Sequence, residues 1–149
     1  MEIKVLNNDM AKKTIKLLSD TVYDYHKMHI EQWLNETSCV KCFVLCENKT
    51  IKSFALLHKC DYDPFNIHDK PYTLDFIYTF AQYRQQNFAY KLLLYIKNTN
   101  CVTAFCNNEK SVGLFKKAGY ILFDDNIPKP MFITPMPMFR FPWKYIKIV

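Results

Sequence analysis

Glycine is almost missing. The 149-residue chain holds two, Gly113 and Gly119. This excludes a glycine-rich phosphate loop of the ordinary kind. Backbone positions that need positive φ must be filled by another residue, Asn first. No apolar run approaches the length of a membrane span. The first residues form a charged, alternating segment without a leader pattern. The expectation is therefore a soluble intracellular protein, cytoplasmic or nuclear, with no membrane partner. On that expectation the sequons at Asn35 and Asn48 carry no weight. Long runs of like charge are also missing. The net charge of +6 is scattered in pairs such as Lys12–Lys13 and Lys116–Lys117. It reads as a solvated surface rather than a nucleic-acid face. Internal repeats and low-complexity segments are absent as well.

Hydrophobic residues make up 50% of the chain and aromatics 16%. That supports one domain over 1–149 with a real core. Six cysteines are present. Cys39, Cys42 and Cys46 cluster, with His58 and Cys60 following. However, Cys42 and Cys46 sit in a strand-like run and no second Cys-x-x-Cys appears. They read as buried or half-buried free thiols, with no metal site and no disulfides.

Periodicity sets out the elements. Ile3–Leu6 predicts a strand. Asn8 or Asp9 can cap a helix to Ser19, with Ala11, Ile15 and Leu18 on one face. A second helix fits Val22–Leu34, where His26 and His29 read as surface and edge. Val40–Cys46 and Ile51–His58 predict a hairpin around Glu47–Thr50. Asp61–Pro71 is a loop. Thr73–Phe80 predicts a strand, Phe88–Ile96 a helix and Val102–Cys106 a strand. Lys110–Ala118 predicts a helix closed by Gly119, and Tyr120–Phe123 a further strand. Five of the seven prolines lie between Pro128 and Pro142. That confines 124–149 to an edge strand or an extended tail. The order β-α-α-β-β-β-α-β-α-β implies an α/β (α+β) fold, one mixed sheet with helices on both faces.

The stretch QYRQQNFAYKLL, Gln82–Leu93, follows a strand and opens a helix. First-turn amides and the helix dipole form an anion site. Arg84 adds a donor fork. Asn87 tolerates left-handed backbone, and Ala89 admits a ligand close to the main chain. The pattern is a pyrophosphate cradle built without glycine.

Arg84-x-x-Asn87-x-Ala89 resembles the acetyl-CoA loop of the GNAT superfamily of N-acetyltransferases. Leu74–Thr79 is similar to that family's fourth strand. Asn108–Tyr120 is similar to its Asn-x-x-Ala-Ile-x-x-Tyr-x-x-x-Gly-Phe signature. The resemblance spans Met1 to Phe123. It implies a mixed, mostly antiparallel sheet with a splayed fourth and fifth strand, and acetyl-CoA as co-substrate. It implies that Arg84, Gln85, Gln86, Asn87, Phe88 and Ala89 hold the pyrophosphate. Ile77, Tyr78 and Thr79 would lie along the pantetheine arm, with Asn108 and Phe115 also at the cofactor. No metal is implied.

Amine acetylation needs a base, an oxyanion donor and an acid for the leaving thiolate. Asp75 is the candidate base, where many members carry an acidic residue. Phe115 stands at the usual place of the acidic tyrosine, so the acid is open among Tyr78, Tyr120 and Cys106. On the acceptor side lie Tyr23, Tyr25, His26, Trp33, Asp61, Asp63, His68 and Asp69. The expected activity is acetyl transfer to a primary amine of a small molecule, or to a peptide or protein lysine or N-terminus. The competing reading is a GNAT-like protein that binds CoA or a protein partner without catalysis. The aromatic, basic tail from Met131 reads as a last strand, or as a homodimer contact or lid.

Overall fold

The computed structural model describes residues 1–22, 24–60, 71–105, 109–124 and 131–134. Its strands are β1 (Glu2–Asn7), β2 (Val40–Glu47), β3 (Thr50–Lys59), β4 (Tyr72–Thr79), β5 (Val102–Phe105), β6 (Ile121–Asp124) and β7 (Met131–Ile133). Its helices are α1 (Asn8–Leu18), α2 (Asp24–Leu34), α3 (Phe88–Thr99) and α4 (Glu109–Lys117), with 3-10 turns at Ser19–Thr21 and Ala81–Tyr83. The strands form a mixed α/β fold's seven-stranded sheet in the order β1-β2-β3-β4-β5-β7-β6. The chain divides into two compact units, Met1–Lys59 with Leu74–Leu92 and Cys60–Thr73 with Leu93–Val149.

In the first unit β1, β2 and β3 run antiparallel. The turn between β2 and β3 holds Asn48 at φ +53 and Lys49 at φ +63. Two left-handed residues in a two-residue loop match the right-handed strand twist, so the hairpin closes without glycine. Cys42, Phe43, Val44 and Leu45 are all buried, as are Phe54, Ala55, Leu56 and Leu57. Both faces of this pair are therefore covered, which is why the runs read as continuously apolar rather than alternating. One face packs Ala11, Ile15, Ile30 and Trp33 against Cys42, Val44, Phe54, Leu56, Tyr78 and Phe80. The Trp33 indole N–H donates to the Leu57 carbonyl at 2.9 Å, so its polar atom is satisfied inside the core. Neither Asn8 nor Asp9 caps α1. The N-cap is Asn7, without a side-chain bond. Asn8 has φ +47, and its Oδ1 accepts the Val40 N–H at 3.2 Å, so its side chain is spent on β2.

In the second unit β7 pairs antiparallel with β5 on one side and β6 on the other. An edge strand or tail was expected over 124–149. Met131–Ile133 instead has partners on both sides, because this short run contains no proline and keeps every amide. Thr134 continues the tie: the Val102 N–H donates to its Oγ1 at 2.8 Å. The remaining tail, 135–149, lies outside the described residues.

Helix α4 ends as the sequence predicts. Gly119 has φ +83. Its N–H donates to Lys116 O at 3.1 Å, and the Tyr120 N–H donates to Phe115 O at 3.1 Å. This is a Schellman motif, and its usual apolar clasp is the Phe115–Tyr120 ring pair, 5.0 Å apart and edge-on. The two glycines should respond oppositely to alanine. Gly119→Ala forces a Cβ into left-handed backbone and should cost about 1–2 kcal/mol. Lys97 Nζ, 2.7 Å from that Cβ, is a flexible tip and can move aside. Gly113 lies inside α4 with nothing within 4 Å of an added Cβ. Gly113→Ala should stabilise by up to about 1 kcal/mol. Urea unfolding of both variants checks the pair of signs.

Candidate active site

In the first unit β4 delivers two kinds of side chain. Tyr78 and Phe80 are buried and join Phe54 and Phe76 in an aromatic cluster. Phe76 and Tyr78 stack nearly parallel, 13° between planes and 5.9 Å between centroids. Helix α2 adds His29, stacked on Phe76, and His26, edge-on to Tyr78 at 5.4 Å. The expected surface and edge histidines thus form part of this ring tier. Periodicity alone does not reveal it, because the contact depends on where α2 crosses β4. Burial lowers the His26 pKa, and the charges of His29 and Arg84 add to it. His26 is therefore neutral at neutral pH.

Tyr78 is 6% exposed, and its ring position is fixed by four neighbours. Its hydroxyl has no hydrogen bond among the described residues. No buried side-chain polar atom there lacks a partner. The hydroxyl therefore reaches solvent while the ring stays packed. Strand β4 is tied to β3 at this end. Ser53 Oγ donates to the Tyr78 carbonyl at 2.8 Å and touches Thr79 Oγ1 at 2.9 Å.

The Ala81–Tyr83 turn leads into the cradle. Arg84 Nε donates to the Thr79 carbonyl at 3.0 Å. The guanidinium lies 5.4 Å from the Tyr78 ring centroid. With Nε fixed, its terminal nitrogens keep a defined direction. Gln85 has φ +65 and Asn87 φ +64. Asn87 thus takes the left-handed backbone that its residue type predicts. Gln85 does so as well, which its residue type does not signal. Residues 84–87 are exposed. Asn87 O accepts the Lys91 N–H at 3.0 Å, the first bond of α3. The amides of Phe88 and Ala89 have no acceptor within the helix, as at any helix start. Phe88 is buried and anchors the turn, whereas Ala89 is half-buried.

The carboxylate of Asp75 is not isolated. His58 Nδ1 and Asp75 Oδ2 are 2.6 Å apart, and the side chains keep 25% and 27% of their surface. The hydrogen bond to Asp75 raises the His58 pKa above its ordinary value. Burial works against this, and the charges of Asp75 and Glu36 add to the rise. His58 is a partner of Asp75 that the sequence reading does not bring to it. In sequence it follows Cys39, Cys42 and Cys46. Those thiols are free, with Cys39 exposed, Cys42 buried and Cys46 half-buried. Burial pushes the Cys42 thiol up, so it is inert.

The second unit settles two other candidates. Phe115 is 4% exposed, stacked on Phe132 and edge-on to Tyr120. Tyr120 is fully buried and donates its hydroxyl to the Leu93 carbonyl at 2.9 Å. Burial raises its pKa, which removes it as an acid. Asn108 and Cys106 lie outside the described residues, as do Tyr23, Asp61, Asp63, His68 and Asp69. Trp33 is a core residue. Tyr25 lies on α2, with its side chain outside the described ones.

No helix among the described residues is long and apolar enough to cross a membrane. No family model and no curated protein matches the sequence. Solved structures do match. Tetrahymena GCN5 superposes with a TM-score of 0.61 at 14% identity, covering 89% of this chain and 94% of that one. A GNAT-family acetyltransferase from Bacillus cereus gives 0.54 at 16%, covering 90% and 97%. The Bacillus subtilis N-acetyltransferase YlbP, solved with coenzyme A, gives 0.59 at 12%, covering 89% and 95%.

The His58–Asp75 pair fixes a pH dependence of stability. A raised histidine pKa stabilises the fold fully below about 6.5, the unfolded value. The contribution is lost as pH rises through the folded pKa. Both groups keep solvent contact, so the effect should stay below about 1 kcal/mol. Unfolding free energy should fall slightly as pH rises above about 6.5, and Asp75→Asn should flatten that slope in denaturant titrations. From element order, sheet topology and these superpositions together, the chain has the fold of the GNAT acetyltransferases.

Proposed function

We propose that the protein is an acetyl-CoA-dependent N-acetyltransferase acting on a primary amine. The observation that carries this reading is the exposed Arg84–Ala89 turn at the start of α3. Its two left-handed residues, and first-turn amides that have no acceptor within the helix, suit a pyrophosphate. The occurrence of coenzyme A in the similar B. subtilis protein supports the choice of ligand.

In this reading Gln85, Gln86, Asn87, Phe88 and Ala89 hold the diphosphate through main-chain amides. The terminal nitrogens of Arg84 supply a charged fork. The backbone of Ile77, Tyr78 and Thr79 lies along the pantetheine arm. An N–H there donates to the thioester carbonyl and stabilises the oxyanion formed on attack. Asp75, with its His58 partner, supplies the basic end of β4. The Tyr78 hydroxyl, open to solvent on a fixed ring, is the acid for the leaving thiolate. Asn108, outside the described residues, is assigned to the pantetheine side by the resemblance alone. Phe115 contributes packing rather than a proton. The acceptor is a small-molecule amine, or a peptide lysine or N-terminus.

The second reading is a GNAT-like protein that binds CoA or a protein partner without turnover. The burial of Phe115 at the usual tyrosine place favours it.

Calorimetric titration with acetyl-CoA and with CoA tests both. The first reading expects both to bind and Arg84→Ala to weaken them by roughly 10- to 100-fold, the scale of one charged hydrogen bond. Binding without thiol release in the presence of amines would favour the second reading. Absence of binding would overturn both as far as they involve CoA.

A further inference from the structure

Strand β1 forms one edge of the sheet. Among the described residues it pairs with β2 alone, in a register that runs unbroken from Glu2↔Cys46 to Asn7↔Lys41. We propose that a second copy of this chain adds its own β1 to this edge, antiparallel and across a two-fold axis, so that Glu2 of each protomer faces Lys4 of the other. Strands β2 and β3 separate this edge from β4, so the pairing stands apart from the acetyl-transfer reading.

A sheet edge is a template for another strand, and proteins blunt it with proline, a bulge or charge. The six residues of β1, EIKVLN, contain no proline, and their register against β2 has no shift. Charge remains, at Glu2 and Lys4, both exposed. Residues 2, 4 and 6 of a strand share one face. On that face Glu2, Lys4 and Leu6 line a trough of about 520 Å³ with Thr14 of α1 and Val44 and Cys46 of β2. Both charges act on the half-buried Cys46 thiol, which agrees with this placement. Neither has an ion pair among the described residues.

These two charges select the register. A two-fold axis normal to the sheet sets one residue opposite its own copy. Centring on Glu2 opposes two carboxylates, and centring on Lys4 opposes two ammonium groups. Like charges directly opposite destabilise a strand pair. Centring on Val5 or Leu6 leaves both charges without an opposite charge. Centring on Ile3 sets Glu2 against Lys4 twice, on the trough face, and Ile3 against Ile3 on the other. A lysine that would block the edge by itself thus becomes, with Glu2 two positions away, the device that chooses one pairing and rejects its neighbours.

A ladder this short is below the size of a stable interface. Helix α1 supplies the adjoining surface. Ala11 and Ile15 are buried and turn the helix to the core. Met10, Thr14 and Leu17 follow at helical spacing on one flank. Thr14 borders the trough above β1, so this flank lies on the β1 side. Met10 is 60% exposed and Leu17 82%. The opposite flank is engaged within the chain, where Lys12 Nζ donates to the Glu36 carbonyl at 2.8 Å. A two-fold axis normal to the sheet keeps both copies of α1 on one face of the joined sheet, with these flanks turned toward each other. Edge and apolar flank are then covered together.

Sedimentation velocity of the untagged full chain tests this, over a concentration series reaching roughly 100 μM, where weak dimers still form. The wild type should show a reversible monomer–dimer equilibrium. Glu2→Lys and Lys4→Glu should each weaken it by roughly tenfold or more, because two opposed pairs become like-charged. The double variant Glu2→Lys/Lys4→Glu should return to within about threefold of the wild-type Kd, since it exchanges the charges and keeps the pairs. Raising the salt concentration should narrow the gap between the single variants and the wild type. Both positions are exposed, and thermal melts establish that each variant folds. Amide hydrogen exchange should show protection in β1 that grows with protein concentration. A monomer at every concentration overturns the proposal. So does a dimer that ignores the single variants, or one that the double variant fails to restore. A dimer that disappears on removal of 135–149, with β1 exchange independent of concentration, assigns the contact to the tail and overturns it as well.

Discussion

Left-handed backbone without glycine is the constraint on which this structure turns. Among the described residues Asn8, Asn48, Lys49, Gln85 and Asn87 all have positive φ, and only Gly119 meets the need with glycine. Each non-glycine case costs on the order of 1–2 kcal/mol, less for Asn. Such positions persist only where neighbours over-determine them. The β2–β3 ladder does so for Asn48 and Lys49. The Val40 amide does so for Asn8, and the start of α3 for Asn87. Gln85 is different. It is exposed, has a long side chain, and follows an arginine that is fixed to Thr79. Strain retained in an exposed turn at a helix start is the kind that a ligand's contacts could offset. The left-handed backbone at Gln85 is thus not explained by the turn's own packing, which is what the proposed anion site draws on.

Strand β4 joins that turn to the rest of the site. The Phe76 and Tyr78 rings pack toward α2, its carbonyl at Thr79 holds Arg84, and its carboxylate at Asp75 holds His58. The local charge near Tyr78 is positive or neutral, from Arg84 and the two α2 histidines. Among the described residues, the carboxylates acting on His58 are those of Asp75 and Glu36. In the proposed reaction an anionic cofactor would be favoured at the Arg84 end of this strand and a cationic amine at the Asp75 end.

Much of the fold was legible because its signals are local. The hairpin at Glu47–Thr50, the glycine stop at Gly119 and the strand–turn–helix around Arg84 depend on residues within a few positions of one another. Asn87 was legible for the same reason: its own side chain makes left-handed backbone cheap. What escaped depends on distance in sequence. His58 and Asp75 are 17 positions apart across the 61–70 segment. The pairing of β3 with β4 brings them together, and a one-residue change of register would separate them. The two-sided pairing of Met131–Ile133 also escaped, since proline content argues about a whole segment while pairing needs only a few free amides. The capping of α1 failed in the same way, because Asn8 found a better acceptor role on a strand 32 positions away.

The place of Phe115 follows from packing, and the chemistry can tolerate it. As the third residue from the end of α4 it clasps Tyr120 across the glycine turn, and Phe132 covers its face. A phenyl ring serves that clasp without a hydroxyl to satisfy. The loss of an acid here bears on the easier half of the reaction. A thiol of pKa about 8.5 leaves as thiolate more readily than an amine of pKa about 10.4 loses its proton. Once the attacking nitrogen has lost its proton, collapse of the tetrahedral species favours the weaker base, sulfur. The base therefore sets the rate more than the acid does. On the proposed reading, a phenyl ring at 115 would therefore weigh less on turnover than loss of the Asp75 carboxylate on β4.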